Sequence, residues 1–92
     1  MGLFKIYVLH RASLSPVCGI EIINSLDQRG HVASPSLVYP TLQRLKSEGL
    51  LRSEEQVVNG KVRKYYETTS KGLEVLKSAK EKVRELVDEV LT

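Results

Sequence analysis

Residues 34–51, SPSLVYPTLQRLKSEGLL, read as a helix written to be half buried and half offered outward. Val38, Leu42 and Leu45 recur at the spacing of one helical face, while Ser36, Tyr39, Gln43, Arg44, Lys46 and Ser47 fall on the remaining surface. That outer surface can hydrogen-bond and carries positive charge. Gly49 supplies the stop. Two serines compete for the start. Ser34 can cap the helix with Pro35 at its first position, or Ser36 can be the cap, and either hydroxyl would accept an otherwise unpaired backbone N–H. Pro40 favours Ser36, because it would then stand in the first turn and forfeit only the earliest backbone bond. Taken alone, such a helix is most simply an amphipathic one with a solvated polar face. The segment immediately C-terminal to it alters that reading.

Residues 51–68 form a hairpin around Asn59-Gly60, a pair suited to a turn that needs positive φ at both central positions. Pairing outward from the turn sets Val58 opposite Lys61, Val57 opposite Val62, Glu55 opposite Lys64, Ser53 opposite Tyr66, Arg52 opposite Glu67 and Leu51 opposite Thr68. Two opposite-charge pairs fall out of a register chosen only by the turn, which supports it. Alternation places Leu51, Val57, Val62 and Tyr66 on one face, expected to pack, and Arg52, Lys61, Arg63 and Tyr65 on the other, expected to be outward and basic. Lys64 faces Glu55, which is in position to neutralise it.

Upstream, residues 3 to about 12, LFKIYVLHRA, are apolar almost all round, and either a helix or a strand fits so short a run. As a helix it needs cover on more than one side. His10, without a second His, Cys or carboxylate at ligand spacing, reads as its polar end. Ser13 to Pro16 reads as a turn, with Ser15 capping and Pro16 opening a second helix that runs to about Gln28 and ends at Gly30. Gly19 inside that helix costs up to ~1 kcal/mol relative to Ala, so a neighbouring helix is expected to approach closely there. Two helices, a short loop and a basic helix make the outline of a helix-turn-helix; the hairpin adds a wing. The fold class is therefore mainly α with a small β-hairpin: a winged helix-turn-helix over residues 1–68, followed by one long helix over 69–92.

In that last helix Gly72, Leu76, Ala79, Val83, Leu86 and Val90 are spaced by alternating fours and threes, a heptad seam that Leu73 and Val87 widen. About 22 residues make a helix of roughly 33 Å, and three heptads alone are a weak coiled coil. Leu3, Phe4 and Tyr7 of the first helix, with Leu76, Ala79, Val83, Leu86, Val87 and Val90 of the last, are thus expected to pack against their equivalents in a second chain. Charged flanks such as Lys77 with Glu81 read as solvated faces.

The 92 residues carry a net charge of +3, and residues 34–66 alone hold a surplus of three, from Arg44, Lys46, Arg52, Lys61, Arg63 and Lys64 against Glu48, Glu54 and Glu55. Such a local surplus is the footprint of a phosphate-binding surface. Cys18 is the lone cysteine, which excludes an internal disulfide and a Cys-based zinc site within one chain. No nucleophile with a base at a sensible spacing, phosphate loop, metal cluster or isolated carboxylate pair is evident, so catalysis and a bound cofactor are not expected. The run Leu3 to Leu9 is too short to span a bilayer and lacks a cleavage pattern, so a soluble cytoplasmic protein without membrane attachment is expected.

The strings LVYPTLQRLKSEGLL and GKVRKYYETTSKG resemble the PadR family of winged-helix transcriptional regulators, in which a Leu-Tyr-Pro-x-Leu-x-Arg-Leu recognition helix precedes an Arg-x-Tyr-Tyr-x-Leu-Thr-like second wing strand. The likeness extends over essentially the whole chain, and the single C-terminal helix is similar to the family's shorter branch. Two departures stand out: Cys18-Gly19-Ile20-Glu21 where His-Gly-Tyr-Glu is frequent, and Thr68 where an apolar residue is usual. The resemblance implies a homodimer on double-stranded DNA, most often a repressor. It also implies that a small aromatic effector can act near the dimer interface, although with no Trp and one Phe nothing in the sequence marks such a pocket. On this reading the DNA-facing residues are Ser34, Ser36, Tyr39, Gln43, Arg44 and Lys46 of the helix and Asn59, Gly60, Lys61, Arg63 and Lys64 of the wing. The rival is a winged helix that serves only protein–protein interaction; the basic outward face of the wing speaks against it.

Overall fold

A computed structural model describes residues 2–92. Its elements follow the order α1 (Leu3–Leu14), α2 (Gly19–Gln28), α3 (Pro35–Ser47), β1 (Leu51–Val58), β2 (Lys61–Thr68) and α4 (Ser70–Leu91). The fold is a winged helix: three helices enclose a core, the hairpin forms the wing, and α4 runs out from the body. Val8, Leu9, Ala12, Ile22, Val38, Leu42 and Leu45 are fully buried and make the centre of that core.

The first apolar run is a helix, and it continues two residues past the expected end, to Leu14. It stops because Ser15 precedes Pro16 and is driven into extended backbone, φ −168° and ψ 158°. Pro16 does not open α2, contrary to the expectation from sequence. Val17 is instead paired with β2: its N–H donates to the Tyr66 carbonyl at 3.0 Å, and the Tyr66 N–H donates back at 2.8 Å. Two backbone bonds and the burial of Val17 outweigh an early helix start. The helix then begins at Gly19, where the Glu21 carboxylate accepts the Cys18 N–H at 2.9 Å.

The start of α3 is also corrected. Ser34, not Ser36, is the cap residue, and its carbonyl accepts from both Leu37 and Val38 at 3.0 Å. Its hydroxyl pairs with that of Ser36 at 2.9 Å instead of capping a backbone N–H. Pro40 accordingly lies inside the helix and withholds the bond it would have donated to the Ser36 carbonyl. Both residues are exposed, so water can reach that carbonyl. Gly49, at φ +78°, closes the other end while Leu50 N–H reaches back to the Leu45 carbonyl at 2.9 Å.

The hairpin has the register read from its turn at every pair, from Leu51 opposite Thr68 to Val58 opposite Lys61. Asn59 and Gly60 both take positive φ, 52° and 76°. One expectation about its faces fails. Leu51 and Tyr66 are buried at the base, whereas Val57 and Val62 remain 73% and 65% exposed at the tip, because the wing projects beyond the helices that could cover it. Thr68, the polar departure, is buried and donates to the Leu9 carbonyl of α1 at 2.8 Å.

In α4 only Gly72 and Leu76 are buried. Leu76 therefore packs within its own chain and is removed from the set expected to meet a second one. The radius of gyration, 14.0 Å, exceeds the ~12 Å of a compact chain of this length, as a projecting wing and helix require. Among the described residues no helix is long and apolar enough to cross a membrane.

Gly72 tests the packing at the root of α4. A Cβ there would lie 2.7 Å from Thr68 Cγ2 and 3.1 Å from the Leu50 carbonyl carbon, with the Leu50 oxygen closer still. Gly72→Ala should therefore lower stability by about 1–3 kcal/mol in urea denaturation, despite the better helix propensity of alanine.

Candidate nucleic-acid interface

The buried face of α3 fixes its orientation, so Ser34, Ser36, Tyr39, Gln43, Arg44 and Lys46 are all exposed on the other side. Beside it, the base of the wing is held by the Val17–Tyr66 bridge, which sets β2 against the start of α2. The three elements enclose an open groove of about 520 Å³. Tyr39 and Gln43 line it from α3, Lys61, Arg63 and Lys64 from the wing, and Gly19 from α2. Five of the residues singled out from sequence thus share one concavity. Ser34, Ser36, Arg44, Lys46, Asn59 and Gly60 lie outside its lining, on exposed surface.

The charge in the groove is uncompensated. Arg52 bonds to Glu67 at 2.7 Å, the one ion pair among the described residues. Glu55 stands opposite Lys64 in the register but forms no ion pair with it. Arg52 is thereby committed to the strand pair, while Lys61, Arg63 and Lys64 stay available to a phosphate. Arg63 is half-buried at the groove, and its Nε, like Arg11 Nε and His10 Nδ1 elsewhere in the molecule, has no hydrogen-bond partner within the chain.

Sequence reasoning missed the rest of the lining, Cys18, Ile20, Val62 and Tyr66. Tyr66 is buried, and its phenol is pushed above 10.0 by that burial and by the neighbouring Tyr39. The signal that existed was Gly19, and the close approach it foretold is real: the ring of Tyr39 lies against its Cα.

The opposite side of the molecule presents an apolar groove of about 660 Å³ between α1 and α4, where Leu3 and Ile6 face Val75, Ala79, Val83 and Leu86. Leu3, Leu86, Val87 and Val90 are exposed, and Ala79 and Val83 half-buried. Phe4 and Tyr7 lean on the protein's own core, the Tyr7 hydroxyl bonding to Ser25 Oγ at 2.8 Å. Nearby, His10 is held below 6.5 by burial first, and then by the charges of Lys80 and Arg11. Among the described residues no cluster of three or more His, Cys, Asp or Glu is placed to hold a metal.

Comparison with known proteins adds four findings. Residues 8–78 match the model of the transcriptional regulator PadR-like family. A transcriptional regulator of Mycobacterium tuberculosis is 38% identical over 87 residues, spanning 95% of this chain and 81% of the relative. The crystal structure of a PadR family transcriptional regulator from Eggerthella lenta superposes with a TM-score of 0.85 at 36% identity, over 95% of this chain and 77% of that one. The fold is shared as well by PadR of Bacillus subtilis, solved in complex with operator DNA, at a TM-score of 0.77 and 23% identity over 85% of this chain and 45% of that one.

The depressed His10 value has a measurable consequence. Because the unfolded chain takes up the proton at a higher pH than the folded one, stability is fully present above 6.5 and declines as the pH falls through the folded value. The urea midpoint at about pH 5 should lie below that at about pH 7, and His10→Gln should flatten the difference.

Proposed function

The chain belongs to the PadR-like family of transcriptional regulators, and from that premise we propose that it binds double-stranded DNA as a homodimer and acts as a repressor. The observation that carries the reading is the set of unpaired cations, Lys61, Arg63 and Lys64, gathered with Tyr39 and Gln43 around one groove. The operator complex of the Bacillus subtilis relative supports it through the shared fold.

In this proposal α3 enters the major groove and the wing grips the backbone beside it. Gln43 is the reader of bases, since its amide pairs with adenine in bidentate fashion. Arg44, Lys46, Lys61, Arg63 and Lys64 hold phosphates, and Tyr39 donates its hydroxyl to one. Ser34 and Ser36, at the exposed start of α3, and Asn59 and Gly60, at the tip of the wing, approach the sugar-phosphate chain or the minor groove. Residues 1–68 act as the DNA-binding unit and 69–92 as the dimerisation helix. The apolar groove between α1 and α4 takes the second copy, with Leu3, Ala79, Val83, Leu86, Val87 and Val90 meeting their equivalents and Phe4 and Tyr7 at the margin. A symmetric pair places two α3 helices about one turn of DNA apart, ~34 Å, so the operator is roughly palindromic.

Fluorescence anisotropy with random-sequence duplex at two salt concentrations tests the DNA reading. Affinity should fall steeply with salt, and Lys61→Ala with Arg63→Ala should weaken it and flatten the log–log slope by about 0.9 for each phosphate no longer neutralised. Binding absent at low salt would overturn the reading in favour of a protein-interaction module. Once an operator has been selected, Gln43→Ala should relax preference at one base pair per half-site, by ~1–3 kcal/mol.

Sedimentation equilibrium addresses the assembly. The wild type should be dimeric, and Val83→Asp with Leu86→Asp monomeric with an intact wing, as each carboxylate would be buried unpaired at the seam.

A further inference from the structure

We infer that Gly19 is a positioning residue for DNA binding, through the ring of Tyr39; the inference rests on the DNA-binding reading above. Gly19 opens α2 with a helical conformation that any residue adopts; its φ is not among the positive ones, so the backbone does not call for glycine. Its surroundings do. A Cβ at this position would stand 2.8 Å from Tyr39 Cζ and 3.1 Å from Cδ1, with Cε1 nearer still. The side chain it would strike is no flexible tail: a phenol ring turns only about two bonds, and Tyr39 is part of the groove lining.

The platform under the ring is itself fixed. Glu21 holds the Cys18 N–H at 2.9 Å, and Val17 is bonded to Tyr66 in both directions. Tyr66, in turn, is close enough to Tyr39 for the two phenols to feel one another. Tyr39 is thus seated against the start of α2, and it lines the groove together with Lys61, Arg63, Lys64 and Tyr66. A ring so seated cannot swing along α3 to follow base edges. Its hydroxyl serves as a fixed, uncharged phosphate donor, and sequence reading is left to Gln43, one helical turn further on.

The uncharged donor leaves its own signature. Lysine or arginine contacts release counterions and contribute to the salt slope, whereas a phenol hydroxyl does not. Gly19→Ala should therefore weaken binding of the full-length protein to random-sequence duplex about tenfold, leaving the salt slope unchanged. Tyr39→Phe should do the same, and adding Gly19→Ala to Tyr39→Phe should cost nothing further. In thermal unfolding Gly19→Ala should lower the midpoint in the wild-type background, yet raise it by a few degrees in the Tyr39→Ala background, where the clash is gone and alanine is the better helix former. If Gly19→Ala alone does not fold, recovery of the fold on adding Tyr39→Ala establishes the contact, and failure to recover overturns it. Wild-type affinity in Gly19→Ala, or an equal further loss on top of Tyr39→Phe, would overturn the inference while leaving the DNA reading intact. Absence of salt-dependent binding by the wild type would overturn both.

Discussion

The three consecutive carbonyls that follow α3, those of Glu48, Gly49 and Leu50, are all met by Thr69 and Lys71 at the start of α4. Lys71 Nζ donates to Glu48 at 3.0 Å, Thr69 Oγ1 to Gly49 at 2.6 Å, and the Thr69 N–H to Leu50 at 3.0 Å. Gly72 then lies directly against the Leu50 carbonyl. Backbone carbonyls that leave a helix must find partners, and here the requirement joins the exit of α3 directly to the start of α4. Because β1 starts at Leu51, one residue beyond the junction, the exit angle of α3, the direction of the wing and the direction of α4 are set at one point.

A second constraint holds the other side of the wing. An isolated two-stranded hairpin is marginal in water, so this one depends on its base. Val17 adds two backbone bonds to Tyr66, and Thr68 reaches the Leu9 carbonyl from within the core. Nothing comparable holds the tip, where Val57 and Val62 stay open to solvent. Stability is therefore concentrated where the wing meets α1 and the α1–α2 loop, and the projecting end is left to whatever it touches.

This division explains what could be read from the chain alone. The hairpin register was legible because Asn59-Gly60 imposes it locally, and the core helices because Val38, Leu42 and Leu45 repeat at a helical period. The failures came from the tertiary setting, contact or exposure, which leaves no local mark. Pro16 looks like a helix start, but the Val17–Tyr66 pairing joins residues far apart in sequence. Pro40 looks like a reason to start α3 late, yet an exposed Ser36 carbonyl tolerates the missing bond. Leu76 obeys the same heptad as Val83 and Leu86, and only proximity to the junction turns it inward. In the candidate groove, the cations and α3 residues were visible as types and spacings. Tyr66 was not, since a tyrosine at the base of a strand reads as core.

The projecting half of α4 is where energetics and the proposed function meet. Past Leu76 no residue of that helix is fully buried, although Ala79, Val83, Leu86, Val87 and Val90 continue its apolar side. An isolated helix of ~12–15 residues is marginal in water, so propensity alone does not hold such a length. In the proposed dimer the second chain supplies the missing burial, and the rigid junction at Leu50 then transmits the geometry of that contact to α3. Spacing between two half-sites would be set by the α4 seam, some distance from any DNA contact. In that dimer a substitution at the seam would alter operator affinity without touching a single cation of the wing.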